Sequence, residues 1–328
     1  MIQQLFTIAR NTFTEAIRQH IYVVVMLVVI LVLVFIPSIA AYTMDDDNQF
    51  MLEMSLSTLF FGGVLLAAFT STGVLAEEVE TRTVLTVVSK PVARPVFVIG
   101  KFLGVAAAIT PAYWIFSLVM LLAVRHQVLQ TASQHFDQPV LTFGFLALIL
   151  ALMIATLGNY FYHWPFTSTL TYALSGALTI AYLLVLVINK QWQFQPITAE
   201  FAKDGSLHHG QLLIALLLLY ESVIILTAVA ITCSTRLGQI MTLVVSTGVF
   251  FLGVLNNSIF GRFADKSVIA DWLFRISPNL QFLWPADALL QKNDFTTAYV
   301  LMVSGYSLLW IAAALALAIA LFQTREVG

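Results

Sequence analysis

The sequence predicts an all-α polytopic membrane protein, and three observations carry that prediction. Hydrophobic residues make up 60% of the 328 and charged residues only 10%, with 25 Phe. A soluble fold of this size has no interior large enough to hide that much apolar surface. The apolar residues also fall in long runs, and eight of these approach a membrane span in length. A hydrocarbon core about 30 Å thick needs roughly 20 such residues in a helix. Finally, the charges gather between the runs.

The runs lie at about 21–43, 55–76, 101–125, 143–162, 169–189, 211–232, 240–258 and 298–322. The fourth and fifth are joined by a short turn, Tyr162-His163-Trp164-Pro165-Phe166-Thr167-Ser168. That turn suits a loop between two full spans or the bottom of a re-entrant hairpin. About eight spans are expected, with six as the alternative.

Residues 1–20 precede the first run. Ile2, Leu5, Phe6, Ala9, Phe13, Ala16 and Ile17 recur at helical spacing, while Gln3, Gln4, Thr7, Arg10, Asn11, Thr14 and Arg18 fall on the other side. That pattern is an amphipathic helix lying in the interface plane, or a soluble helix packed on a partner. The stretch is too polar for the core of a cleavable signal peptide. Residues 21–328 then form the membrane domain.

Orientation follows the basic residues of the short flanking loops. The segment 77–101 holds Arg82, Lys90, Arg94 and Lys101, whereas 44–54 holds no base and carries Asp45-Asp46-Asp47. Both ends of the chain are therefore expected on the cytoplasmic side. Two outer segments follow. Residues 190–210 read as an irregular polar loop with Pro196 and Gly205. Residues 259–297 are too apolar for a free loop and too interrupted, by Pro278 and Pro285, to span. They read as short re-entrant or interfacial helices with aromatic anchors.

Several chemistries are excluded. Net charge is −2, which gives no electrostatic footprint for nucleic acid. The single cysteine, Cys233, allows no internal disulfide and no cysteine-based metal cluster. The histidines are scattered or, at His208-His209, adjacent; neither arrangement has the i, i+4 spacing of a helical metal pair, so no metal site is expected. No Gly-x-Ser-x-Gly elbow occurs, so no catalytic residue is assigned. No Gly-x-x-x-x-Gly-Lys-Ser/Thr loop occurs either, so no nucleotide or other cofactor is assigned to this chain.

Two features remain. Glu221 stands alone in an apolar run beside Tyr220 and Ser222. An intramembrane carboxylate costs a few kcal/mol to insert, so it marks a substrate contact, a proton site, or an interhelical hydrogen bond to Ser or Tyr. The second feature is the segment 77–104, with three acids followed by four bases between two apolar runs. Its chemistry-bearing residues are Glu77, Glu78, Glu80, Arg82, Thr83, Leu85, Ser89, Lys90, Pro91, Arg94 and Lys101. Val84, Leu85 and Val88 would line one side of a short helix that Pro91 and Pro95 stop. Gly100 and Gly104 are four apart and permit a neighbouring helix to approach closely.

The order acid, Arg-Thr, Ser-Lys-Pro, Arg, then Gly-Lys-Phe-x-Gly resembles the first cytoplasmic loop of ABC-2-type permeases. These are membrane subunits of ATP-driven transporters, including the nitrous-oxide-reductase maturation and gliding-motility permeases. The resemblance covers the N-terminal helix, this loop and the last two spans. It implies an interfacial elbow helix at 1–20, a coupling loop at 77–100, and a separate ABC ATPase chain that holds ATP and Mg. It also implies a second permease subunit, identical or related, and an exporter-like permease in a bacterial inner membrane. The pair of runs at 143–189 is extra to the six-span pattern of the family. Two other readings stay open: a secondary transporter or channel without an ATPase, and a membrane anchor or scaffold that recruits a cytoplasmic partner.

Overall fold

The computed structural model describes residues 1–41, 47–73, 93–128, 136–197, 209–263, 267–290 and 295–323. Each of the eight apolar runs folds as a helix, and among the described residues no strand forms beyond one isolated bridge, Ile188 to Phe194. An amphipathic α1, Ile2–Ala16, leads into α2, His20–Ala40, and α3, Asp47–Ser71. Then come α4, Arg94–His126, α5, Gln138–Tyr162, and α6, Phe166–Val187. The chain closes with α7, His209–Ser234, α8, Gln239–Val254, and α11, Thr297–Gln323. Between the last two lie a π turn, Asn257–Gly261, α9, Val268–Ile276, a 3-10 turn, Leu280–Leu283, and α10, Ala286–Leu290.

Seven of these helices are long and apolar enough to cross a membrane. The seventh run is the exception. Expected over 240–258, it forms a regular helix of 16 residues only, about 24 Å at 1.5 Å per residue and short of a 30 Å core. The helical path continues irregularly through the π turn to Gly261. The fourth and fifth runs, by contrast, are two full helices of 25 and 22 residues that pack side by side. Trp164 closes their turn: Asn159 Nδ2 donates to its carbonyl at 2.7 Å, and His163 takes the left-handed conformation, φ 55°.

Helices begin earlier than hydropathy alone indicates, because polar first turns are good helix starts. Asp47 opens α3 where an acid favours the helix dipole. Asp137 caps α5 by accepting from Val140 N at 3.3 Å. Pro95 sits in the first turn of α4, where its missing N–H is not needed.

The core is built around α3, α4 and α7, while α5 and α11 stand at the edges with most of their surface open. Tyrosines tie the core helices through second lone pairs of helix carbonyls. Tyr22 Oη donates to Ala108 O and Tyr113 Oη to Leu216 O, both at 2.7 Å.

The bundle has two distinct ends. At one, α1 lies against the start of α4, and Arg94 Nη1 donates to Gln323 O at the close of α11. The chain on either side of residues 74–92 leaves and re-enters at this end, which is called the loop end below. At the far end Val128 N donates to Asn48 Oδ1 at 3.0 Å and Trp192 Nε1 to Gln138 Oε1 at 3.2 Å. α7 and α11 run parallel. Gln211 Oε1 accepts from Phe295 N at 2.9 Å, and Thr232 Oγ1 donates to Ala314 O at 2.9 Å. The chain therefore returns between them, and α1 and the end of α11 finish at the same end of the bundle.

Candidate coupling site and intramembrane carboxylate

Of the residues the sequence marks in the 77–104 segment, Glu77, Glu78, Glu80, Arg82, Thr83, Leu85, Ser89, Lys90 and Pro91 lie outside the described residues. Arg94 and Lys101 are described, and both sit at the root of the segment. Arg94 is exposed and bonds the last carbonyl of α11. One turn on, the Phe97 ring stacks on Phe322 at 5.5 Å. Lys101 points the other way, to α1. It is 4% exposed, its Nζ is 3.7 Å from Glu15 Oε2, and it lies 5.8 Å over the Phe97 ring. A lysine that has lost its water needs such a carboxylate close by.

The α1–α4 contact depends on the two glycines. A Cβ on Gly100 would meet Ile8 Cγ2 at 2.8 Å, and one on Gly104 would meet Thr12 Cβ at 2.5 Å and the Ala9 carbonyl at 2.6 Å. The helix that approaches closely is thus α1, and no membrane-spanning neighbour takes that place. The packed face of α1 runs through Ile8, Thr12 and Ala16, while Ile2 and Phe6 on the expected apolar face stay exposed. The first three turns of α4 are therefore clamped between α1 and α11. From there α4 continues as the longest and most buried helix of the bundle, 33 residues or about 50 Å. α4 thus runs as one helix, with Pro111 inside it, from the loop end into the core.

Glu221 lies about midway along α7. Its Oε1 accepts from Ser304 Oγ at 2.7 Å and its Oε2 from Ser307 Oγ at 3.0 Å, both on α11. Beside it, Tyr220 Oη and Thr110 Oγ1 are 2.8 Å apart, linking α7 to α4. Glu221 thus ties the edge helix α11 to the core, alongside the Thr232–Ala314 and Arg94–Gln323 bonds.

Sequence reasoning missed four members of these sites and one buried ion pair elsewhere. Glu15 and Thr12 were not singled out, although a carboxylate one turn from the end of an amphipathic helix was a visible partner for Lys101. The serines at 304 and 307, three apart, were a helical-face pair that could have been matched to Glu221. The ion pair is that of Arg125 and Asp137, which reads as two loop charges in sequence. In the structure they are 6% and 0% exposed and 3.4 Å apart.

Residues 6–158 match the family model described as ABC-2 family transporter protein. No curated protein matches the chain. The matched residues run from α1 through most of α5, so the first helix of the pair expected to be an insertion lies inside the family's pattern. The last two spans fall outside the match. Over this stretch, which takes in most of α1, the 77–104 segment and the buried α4, the chain is similar to the ABC-2 family of transporter proteins.

Proposed function

We propose that this multi-pass permease works with a separate ABC ATPase, which binds ATP and Mg and docks on the 77–100 segment at the loop end of the bundle. Two permease subunits, identical or related, would complete the transporter. ATP-driven movement of the ATPase would pull or push the root of the segment, and α4 would carry the movement into the bundle to shift a substrate outward.

The observation that carries this reading is the clamp on α4. Arg94, Phe97, Gly100, Lys101 and Gly104 join the first turns of α4 to α1 and α11 together. A loop with no mechanical duty does not call for such a root. The charged 77–104 segment and the family match support the same reading. With the loop end facing the cytoplasm, the ATPase, the basic flanking residues and both ends of the chain share one compartment.

Co-purification with the P-loop ATPase of the same transporter tests it. Replacing Glu78 and Arg82 with Ala should weaken association by about 0.5–3 kcal/mol and lower coupled ATP turnover. Unchanged recovery and unchanged turnover would contradict the docking assignment.

A further inference from the structure

Away from the coupling site, a slot of about 1060 Å³ opens between α2 and α5. These two helices stand apart, and α4 and α6 form the floor. α2 lines one wall with every third or fourth residue from Leu27 to Ala41, α5 the other from Val140 to Leu152. Along α2 the slot is thus about 21 Å long, somewhat more than the depth of one leaflet. Its deep end, at Leu27, Leu152 and Leu178, is wholly apolar. Its polar residues, Ser38, His126 and Gln127, are all at the far-end mouth. There the His126 ring stacks on Phe136 at 5.9 Å, and His126 Nδ1 has no hydrogen-bond partner among the described residues.

We propose that this slot binds a membrane phospholipid, its acyl chains against the apolar walls and its head group at the His126–Gln127 mouth. The polarity profile matches an amphiphile drawn from the far-end leaflet: polar where the interface lies and apolar over one leaflet's depth. The volume is just above the usual range for ligand pockets, about 300–1,000 Å³, and suits chains better than a compact solute. Binding does not depend on the hydrophobic effect, since bilayer and slot are equally apolar. It depends on contacts from three sides in place of the one that a convex helix face offers.

Gly144 supplies the test. It lines the α5 wall, and a Cβ there meets only Leu122 Cδ1, at 3.8 Å. Gly144→Phe therefore fills the slot with little strain. Gly176, on α6, has open space around it and is not part of the lining, so Gly176→Phe is the control. The full chain is reconstituted in nanodiscs with a phospholipid carrying a diazirine midway along one acyl chain, irradiated, and the adducts are mapped by mass spectrometry. Adducts at Leu31 and Leu148 should exceed those at the exposed Leu308 and Leu309 of α11. Gly144→Phe should lower the slot adducts about tenfold and leave those on α11 unchanged, and Gly176→Phe should change neither. If Gly144→Phe does not fold, Leu148→Trp fills the same wall, with Leu31 as its readout. Slot adducts no more abundant than those on α11, or undiminished in a folded filled variant, would overturn the proposal. The assay uses no ATPase, so its failure is separate from that of the coupling reading.

Discussion

Gly104 of α4 and Thr12 of α1 approach so closely that a Cβ on the glycine would stand 2.5 Å from the threonine Cβ. The Ala9 carbonyl, at 2.6 Å, blocks the same space with backbone, which no rotamer change can clear. The clamp on α4 is thus specified by the absence of a side chain. Gly104→Ala should destabilise the protein by about 1–3 kcal/mol through overpacking. Gly176→Ala, with open space around it, should be neutral or stabilising by up to about 1 kcal/mol through helix propensity. Thermal unfolding in detergent checks the pair, and equal effects would mean that the α1–α4 contact is not a tight one.

The buried pair Arg125–Asp137 makes a sharper prediction. Asp137→Ala leaves a guanidinium that is 6% exposed without this carboxylate and uncaps α5. The cost should reach about 3 kcal/mol or more. Asp137→Asn keeps an oxygen for the Val140 N–H, so it should retain the capping share, about 1 kcal/mol. Comparing the two unfolding midpoints separates the charge from the cap.

Glu221 is predicted to act as an interhelical tie. Each serine bond should contribute about 0.6–2 kcal/mol, the range for interhelical hydrogen bonds in membranes. Glu221→Gln keeps size and hydrogen-bonding capacity and should preserve folding and transport, whereas Glu221→Ala should loosen α11 and lower the unfolding midpoint. A well-folded Glu221→Gln protein with abolished, otherwise pH-dependent transport would instead make Glu221 a proton or cation site, and would favour a secondary carrier.

The fold was largely legible because length and hydropathy decide what can cross a bilayer. All eight runs became helices, and the alternative of a hairpin at 143–189 gave way to two full helices. What hydropathy could not read was where helices start. Asp47, Arg94 and Gln138 precede the apolar runs, yet caps, dipoles and a first-turn proline extend the helix to them. It also could not tell a span from a shorter helix that turns irregular, as α8 does after Val254. At the candidate sites, single residues were visible but pairs were not. Lys101 and Glu221 stood out as charges, whereas Glu15, Ser304 and Ser307 are identified as their partners, and Arg125 and Asp137 as a pair, only once the helices are placed together.

Sidedness can be read with single cysteines in a Cys233→Ser background. Gln49, Gln127 and Gln193 are exposed at the far end, and Gln3 and Arg236 at the loop end. With the loop end cytoplasmic, an impermeant maleimide on intact cells should label the first three and spare the last two. A mixed pattern within either set would contradict the parity of crossings.

The coupling reading itself is tested most directly by site-specific photo-crosslinking in the assembled transporter. A benzophenone amino acid at Leu85, inside the 77–100 segment, should yield an adduct with a P-loop ATPase chain, and the yield should change on ATP binding. The same probe at Gln193, at the far end, should yield none. No ATPase adduct from Leu85, or one equally abundant from Gln193, would contradict the account.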